Sequence, residues 1–244
     1  MAEVYVLKIR IKFQKSGVMK FVGHLDMMRY FQRAIRRAEI DICYSEGFSP
    51  HQKMSFASPL GVGITSDGEY LDIDVNSTKS TAESLAALNK TMVEGIRIVG
   101  YRQLPEHAKT SMAIIAAGRY TMTYKEGYDS PYTYEEWKQV LKEQFFDQDQ
   151  FVILKKTKKS EREVDLKPLV FDFDVTEDDN IGFSLCVSTG STDNLKPELV
   201  ISSIYEKLGL TFDPLAFQIH RVDLYTKTGD GQFLSLGEMG EEIV

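Results

Sequence analysis

Residues 4–39, VYVLKIRIKFQKSGVMKFVGHLDMMRYFQRAIRRAE, change from one hydrophobic periodicity to another within a single stretch. Over residues 4–13, apolar side chains alternate with polar ones, which is the period of a half-buried strand. Over residues 23–39, apolar side chains recur at three- and four-residue steps, which is the period of an amphipathic helix. The turn residues Lys15-Ser16-Gly17 separate the two patterns. The stretch therefore predicts a strand followed by a helix.

Similar patterns continue along the chain and predict an α+β fold. The order strand, helix, strand pair, helix, strand is that of a ferredoxin-like (βαββαβ) domain with an antiparallel sheet. The same order recurs in the second half, with a helix over residues 134–146 and a hairpin over residues 169–188. We therefore predict two tandem ferredoxin-like domains at residues 1–104 and 114–227. Residues 105–113 would be a linker and residues 228–244 a loose tail.

Charge is unevenly distributed over the 244 residues. The whole chain carries a net charge of −7, but residues 1–60 hold ten Lys and Arg against five Asp and Glu. Such a basic region on an acidic protein can face an anionic partner. The chain has no apolar run long enough for a transmembrane helix and only two cysteines, which predicts a cytoplasmic protein without membrane contact or a bound cofactor.

The basic residues of the predicted helix predict a nucleic-acid-binding face. Arg29, Arg33, Arg36 and Arg37 fall on one side of it, where guanidinium groups can engage successive phosphates. The segment YSEGFSPH, residues 44–51, follows as a loop whose aromatic side chains could stack on bases. A solvated basic face and a buried Phe anchor are the structural alternatives. The candidate nucleic-acid-binding residues are Lys15, Arg29, Arg33, Arg36, Arg37, Tyr44, Ser45, Phe48, Ser49 and His51.

A second basic cluster comprises Lys155, Lys156, Lys158, Lys159 and Arg162. We expect it to be a solvated loop, with an auxiliary phosphate contact as the alternative.

His24, Ser45 and His51 are the candidate catalytic residues. Histidine can move protons near neutral pH, so a cluster of these side chains could cleave RNA by acid–base chemistry. A metal site is not predicted, because His24 and Asp26 at the start of a helix would point about 200° apart. The alternative for His24 is a polar contact at the beginning of the helix.

A series of short motifs follows in order along the chain: KSG (15–17), FVGHLD (21–26), RAIRRA (33–38), YSEGFSPH (44–51), FASPL (56–60), GVG (61–63), EYLD (69–72) and REVDLKPL (162–169). In these motifs the chain resembles the bacterial radical SAM-linked proteins, a family of unknown function. The resemblance is strong to about residue 75 and looser to about residue 225. The resemblance implies an accessory chain that works beside a separately encoded radical SAM enzyme. This chain has no CxxxCxxC triplet of the kind that holds the 4Fe–4S cluster of such an enzyme.

These observations predict an accessory subunit that binds tRNA or rRNA and presents it to a radical SAM enzyme. One alternative is an RNA nuclease or metal-assisted hydrolase that uses His24 and His51. The other is a protein-interaction subunit of a radical SAM enzyme that contacts no nucleic acid.

Overall fold

The computed structural model describes residues 6–156, 161–191 and 193–244 of the chain. Residues 1–5, which include the start of the first predicted strand, lie outside the described residues, as do Lys158 and Lys159 of the second basic cluster. The strands are β1 (Leu7–Lys15), β2 (Met54–Phe56), β3 (Thr65–Val75), β4 (Ile96–Leu104), β5 (Ile115–Tyr124), β6 (Val152–Lys156), β7 (Glu161–Asp165), β8 (Val170–Glu177), β9 (Ile181–Ser188), β10 (Phe217–Lys227) and β11 (Phe233–Ser235). The helices are α1 (His24–Arg37), α2 (Thr81–Asn89), α3 (Ser111–Ile114), α4 (Tyr134–Leu141) and α5 (Pro197–Lys207). The fold is mixed α+β, and no helix among these residues is long and apolar enough to cross a membrane.

The chain divides into two compact units. Unit 1 comprises Met1–Ala116 together with Arg221–Val244, and unit 2 comprises Ala117–His220. The boundaries fall inside β5 and inside β10. This division differs from the predicted ranges 1–104 and 114–227, because the second half of β10 and the residues after it belong to unit 1.

Unit 1 is built around an antiparallel sheet. Strand β1 pairs with β3 on one side and with β4 on the other, and β2 pairs with β3. Strand β10 is a further neighbour of β3, and β11 pairs with β10. The order β4-β1-β3-β2 is the one expected for a βαββαβ domain, although the tandem ferredoxin-like plan as a whole stays a prediction.

Helix α1 lies against this sheet through its apolar face. Met27, Phe31, Ala34 and Ile35 of the helix are buried. The first two and Ile35 share a core with Ile9, Ile11 and Phe13 of β1. The helix ends in a left-handed turn, where Glu39 has a φ of 56° and the amide of Ile40 donates to the carbonyl of Ile35 at 3.2 Å. Packing of the apolar face turns the opposite, polar face of α1 toward solvent.

The residues after β10 correct the prediction of a loose tail. Leu236 is fully buried, and the backbones of Gln103 and Glu241 exchange two hydrogen bonds of 2.9 Å. Asp223 of β10 accepts hydrogen bonds from Tyr70 and from Ser235, which lies within these residues. The glycines and acidic residues that predicted a loose tail lie between these buried and hydrogen-bonded residues. Residues 228–244 are therefore part of unit 1.

In unit 2, β5 and β8 flank β9 in antiparallel register, and β10 neighbours β5. A separate hairpin of β6 and β7 is inserted between α4 and β8. Trp137 of α4 is fully buried and packs edge-on against Phe183 of β9, with ring centroids 5.0 Å apart. Aromatic side chains therefore contribute to the core of unit 2.

Candidate functional site

The exposed face of α1 carries the four predicted arginines. Arg29, Arg33, Arg36 and Arg37 are all solvent-exposed, opposite the buried residues of the helix. Arg29 makes a long 3.4 Å contact with the exposed carboxylate of Asp26. The Nη2 of Arg37 donates to the carbonyl of Thr91 at 3.1 Å, which holds this side chain toward the neighbouring turn. We call these four residues the arginine face.

The predicted loop, residues 45–51, is closed at its base by local hydrogen bonds. The amide of Ser45 donates to the carbonyl of His51 at 2.8 Å, and a bridge joins Tyr44 to Gln52. Gly47 lies at a φ of 106°, a backbone conformation that favours glycine. At the tip, Phe48 is fully exposed, and Tyr44 is also exposed. Ser49 and His51 are likewise exposed. The alternative of a buried Phe anchor is therefore wrong.

One hydrogen bond connects the base of this loop to the helix. The Nε2 of Gln52, which is buried, donates to the carbonyl of Gln32 in the middle of α1 at 3.3 Å. The loop thus starts and ends beside the helix that carries the arginine face. Sequence separation alone does not show this proximity.

Lys15 does not lie on the arginine face. Its side chain is 2% exposed, and its Nζ donates to the carbonyl of Val22 at 2.7 Å. Strand alternation explains the position, because residues 9, 11, 13 and 15 share the side of β1 that α1 covers. The prediction of Lys15 as a surface phosphate contact is therefore corrected: it is a buried amine beneath the start of α1.

Two further charged residues lie close to Lys15, and the sequence prediction missed both. Arg221 of β10 donates from Nη1 to both carboxylate oxygens of Glu69 of β3, at 3.0 and 3.1 Å. The two side chains are 4% and 5% exposed. The sequence gives little signal for this pair, because β3 holds four acidic residues and β10 also holds Asp223 and Lys227, so nothing singles out Glu69 and Arg221 as partners. We call Lys15, Glu69 and Arg221 the ionic cluster.

Burial disfavours the charged forms of two members of this cluster. It lowers the pKa of the Lys15 amine, an effect that the nearby Glu69 carboxylate partly offsets and that Arg221 reinforces. It raises the pKa of the Glu69 carboxyl, against the opposing influence of Arg221. Keeping these buried groups charged therefore costs free energy that solvated groups would not lose.

His24 is the first residue of α1 and lies beside the ionic cluster. Its ring packs edge-on against Phe56, with centroids 5.3 Å apart. A small cavity of about 20 Å³ opens here. Its lining residues are Phe13, Lys15, His24, Met27, Phe56, Ser58, Leu60 and Glu69.

The three candidate catalytic residues do not form one cluster. Ser45 Oγ lies 2.8 Å from Nδ1 of His51, a pairing that closes the exposed loop. Among the described residues, neither side chain hydrogen-bonds to a carboxylate, and His24 contacts neither of them. A search of the same part of the chain finds no group of three or more His, Cys, Asp or Glu that could hold a metal ion.

Solved structures similar to this chain include the following two. A chain in the crystal structure of a Cbf5-Nop10-Gar1 complex is 12% identical, with a TM-score of 0.48 over 88% of this chain and 48% of its own. This chain therefore spans about half the length of that one. The crystal structure of an unknown protein from Galdieria sulphuraria is 14% identical, with a TM-score of 0.24 over 98% of this chain and 100% of its own. With TM-scores below 0.5, neither likeness indicates a function.

No curated protein matches the sequence. A family model described as an uncharacterized protein conserved in bacteria (DUF2344) matches residues 8–197. That description names no radical SAM enzyme, so the link to such an enzyme stays a proposal. Because the match covers well over half of the 244 residues, the chain belongs to this family, DUF2344.

Proposed function

We propose that this protein binds RNA through the arginine face and presents it to a partner radical SAM enzyme. The observation that carries the proposal is the exposure of four arginines on one side of α1, with no acidic residue interleaved between Arg29 and Arg37. The RNA would be tRNA or rRNA. The proposal keeps the prediction of two ferredoxin-like domains, which the strand order in unit 1 supports.

The geometry of the arginine face suits an anionic strand. Arg29 and Arg36 are separated by seven residues, about 10 Å along the helix axis at 1.5 Å per residue. That distance is long enough to engage more than one phosphate. Arg29 makes only a long contact with an exposed carboxylate, and such surface pairs contribute little. Phosphate can therefore compete with Asp26 for this guanidinium at small cost.

The loop of residues 45–51 and the adjoining Tyr44 supply aromatic side chains, which the arginine face lacks. Single-stranded RNA is held by aromatic side chains that stack on unpaired bases, in addition to cations that contact phosphates. Phe48 and Tyr44 are exposed, and Gln52 fixes the base of the loop to α1. Phosphate contacts from the helix and stacking from the loop would then act on neighbouring nucleotides.

The proposed partner is a radical SAM enzyme, on the basis of the resemblance to radical SAM-linked proteins and of the absence of a CxxxCxxC triplet in this chain. We expect the protein, purified from its native cells after nuclease treatment, to retain an enzyme that contains a 4Fe–4S cluster. Retention of such an enzyme together with a failure to bind any RNA would favour the pure protein-interaction alternative.

Fluorescence anisotropy with a labelled single-stranded RNA tests the arginine face. The test variant combines Arg29→Gln, Arg33→Gln and Arg36→Gln, which leaves Arg37 and its contact with Thr91 in place. The matched control removes three exposed lysines of unit 2, by Lys138→Gln, Lys142→Gln and Lys196→Gln. Both variants change the net charge by the same amount.

The salt dependence of binding gives the expected magnitude. Each phosphate neutralised on a single strand contributes about 0.7 to the slope of log K against log salt concentration. Loss of three contacts should therefore reduce the slope by about 2, and the control should leave it unchanged. Equal slopes for the two variants, or no binding by the wild type, would exclude the arginine face as an RNA site.

A further inference from the structure

A group of apolar side chains lies exposed on unit 1, next to the start of α1. Its members, which are between 64% and 78% exposed, are Val18, Phe21, Leu25 and Val62. Single apolar side chains are common on the surface of a folded protein, whereas several together mark a place that another molecule covers. We call these four residues the apolar patch.

The turn that precedes α1 holds three members of the patch together. Val18 and Phe21 belong to a 3₁₀ turn, in which side chains three residues apart lie one above the other. The amide of Gly63 donates to the carbonyl of Lys20 in this turn at 2.8 Å. The neighbouring Val62 is thereby held beside the turn.

Leu25 joins the apolar patch to the arginine face. It lies in the first turn of α1, four residues before Arg29, and side chains four residues apart are neighbours on the surface of a helix. Asp26, the acidic residue of this first turn, contacts Arg29. The patch therefore continues the row of guanidinium groups toward the beginning of α1.

A second cation borders the patch at its aromatic ring. The Nζ of Lys20 lies over the ring of Phe21, 5.3 Å from the ring centroid. Lysine is depleted in protein–protein interfaces, whereas single-stranded nucleic acid is held by cations and aromatic rings together. With Lys20 and Arg29 at its borders, the patch suits an occupant that combines apolar faces with negative charge.

We infer that the apolar patch receives an unpaired base of the RNA whose phosphates lie on the arginine face, an inference that rests on the proposed function. Bases that have left their stack are held between aromatic and apolar side chains. Phe21 offers the aromatic ring, and Leu25 and Val62 offer aliphatic surface next to it.

The position of the patch along α1 gives the class of RNA that fits. The loop of residues 45–51 is fixed to α1 at Gln32, seven residues after Leu25, which is about 10 Å along the helix axis. The RNA would then be held by its bases at two separate places along the arginine face. Because the bases of a duplex are paired and stacked, this arrangement selects a single strand.

Two anionic probes separate base contacts from phosphate contacts. Fluorescence anisotropy is measured with a labelled single-stranded RNA, which has phosphates and bases, and with end-labelled inorganic polyphosphate, which has no bases. The test variant combines Phe21→Ala and Leu25→Ala. The matched control combines Tyr128→Ala and Leu215→Ala, which truncate an exposed aromatic residue and an exposed leucine of unit 2. All four side chains are exposed, and circular dichroism checks that both variants are folded.

The two probes should respond differently to the test variant. We expect it to weaken RNA binding at least fivefold, the effect of losing one stacked base, and to leave polyphosphate binding unchanged. The control should change neither. RNA binding that the test variant retains, or an equal loss for the two probes, would overturn the inference.

The triple arginine variant distinguishes failure of this inference from failure of the proposed function. It should weaken the binding of both probes, because it removes phosphate contacts. RNA binding that the triple variant retains would exclude the arginine face, whatever the result for the patch. No RNA binding by the wild type would exclude both.

Crosslinking locates the base directly. An RNA that contains 4-thiouridine, irradiated on the wild-type protein, should crosslink to the peptide that contains Phe21, as identified by mass spectrometry. Crosslinks confined to residues 44–51 would contradict a base at the patch. Normal RNA binding by the test variant, together with loss of the 4Fe–4S enzyme that the wild type retains from native cells, would assign the patch to a protein partner instead.

Discussion

Replacing Glu69 with glutamine should destabilise unit 1 severely, although the two side chains have nearly the same shape. The substitution removes the only carboxylate of the ionic cluster and leaves Arg221 and Lys15 as neighbouring buried cations. Removal of one partner from a buried ion pair costs about 3–5 kcal/mol. Folded proteins are stable by only about 5–15 kcal/mol, so the loss would be a large part of the total.

A second substitution separates the charge effect from packing. Adding Lys15→Met to Glu69→Gln removes one of the two neighbouring cations, so the double variant should recover part of the lost stability. Arg221→Met alone should cost less than Glu69→Gln, because Lys15 remains near the carboxylate. If Lys15→Met and Glu69→Gln instead act independently, their changes in the free energy of unfolding will add.

Urea unfolding followed by far-UV circular dichroism measures these differences. Fluorescence of Trp137, the only tryptophan in the chain, provides a second signal from the core of unit 2, and coincidence of the two curves checks for a two-state transition. Asp172→Asn, which removes the exposed partner of Arg119, serves as a control with a much smaller expected loss. A loss below about 1 kcal/mol for Glu69→Gln would contradict the assignment of a buried, charged cluster.

Three further predictions can be tested on the purified protein and its variants. Leu236→Ala should cost about 2–5 kcal/mol in urea unfolding, because a fully buried side chain is truncated; no loss would mean that residues 228–244 do not contribute to the core of unit 1. Phe48→Ala should leave the unfolding midpoint unchanged and weaken single-stranded RNA binding by about 1–3 kcal/mol, since the ring is fully exposed and available for stacking. The pKa of Lys15 is lowered, so just below pH 10.5 the unfolded chain binds more protons than the folded chain, and the free energy of unfolding should rise with pH. Glu69, Arg221 and His24 lie around this amine, and comparison of the wild type with Lys15→Met isolates its contribution. If the Lys15 amine is solvated, the wild type will show no rise relative to Lys15→Met.

Local periodicity predicted the parts of the fold that depend on neighbouring residues. The predicted helix over residues 23–39 corresponds to α1, His24–Arg37, and its apolar residues face the core as expected. The hairpin over residues 169–188 corresponds to β8 and β9. Between α1 and the loop, Ile42 and Tyr44 form isolated bridges instead of a strand.

Long-range pairing accounts for what the sequence could not predict. Glu69 and Arg221 are separated by 152 residues, and nothing in the neighbourhood of either residue indicates the other. Lys15 was placed on the surface because a lysine next to Ser-Gly is typical of a turn, whereas the strand alternation places it beneath α1. The arginine face is different, because helical spacing alone shows which side of α1 the guanidinium groups occupy.

The discontinuity of unit 1 has a consequence for how the protein is made. Residues 221–244 belong to unit 1 but leave the ribosome only after the whole of unit 2. At about 5–20 residues per second, synthesis of Ala117–His220 takes roughly 5–20 s. During that interval the carboxylate of Glu69 has no guanidinium to pair with, and the place of Leu236 in the core is empty. Unit 1 begins first, but it can complete its fold only after the last residue of unit 2 has been synthesised.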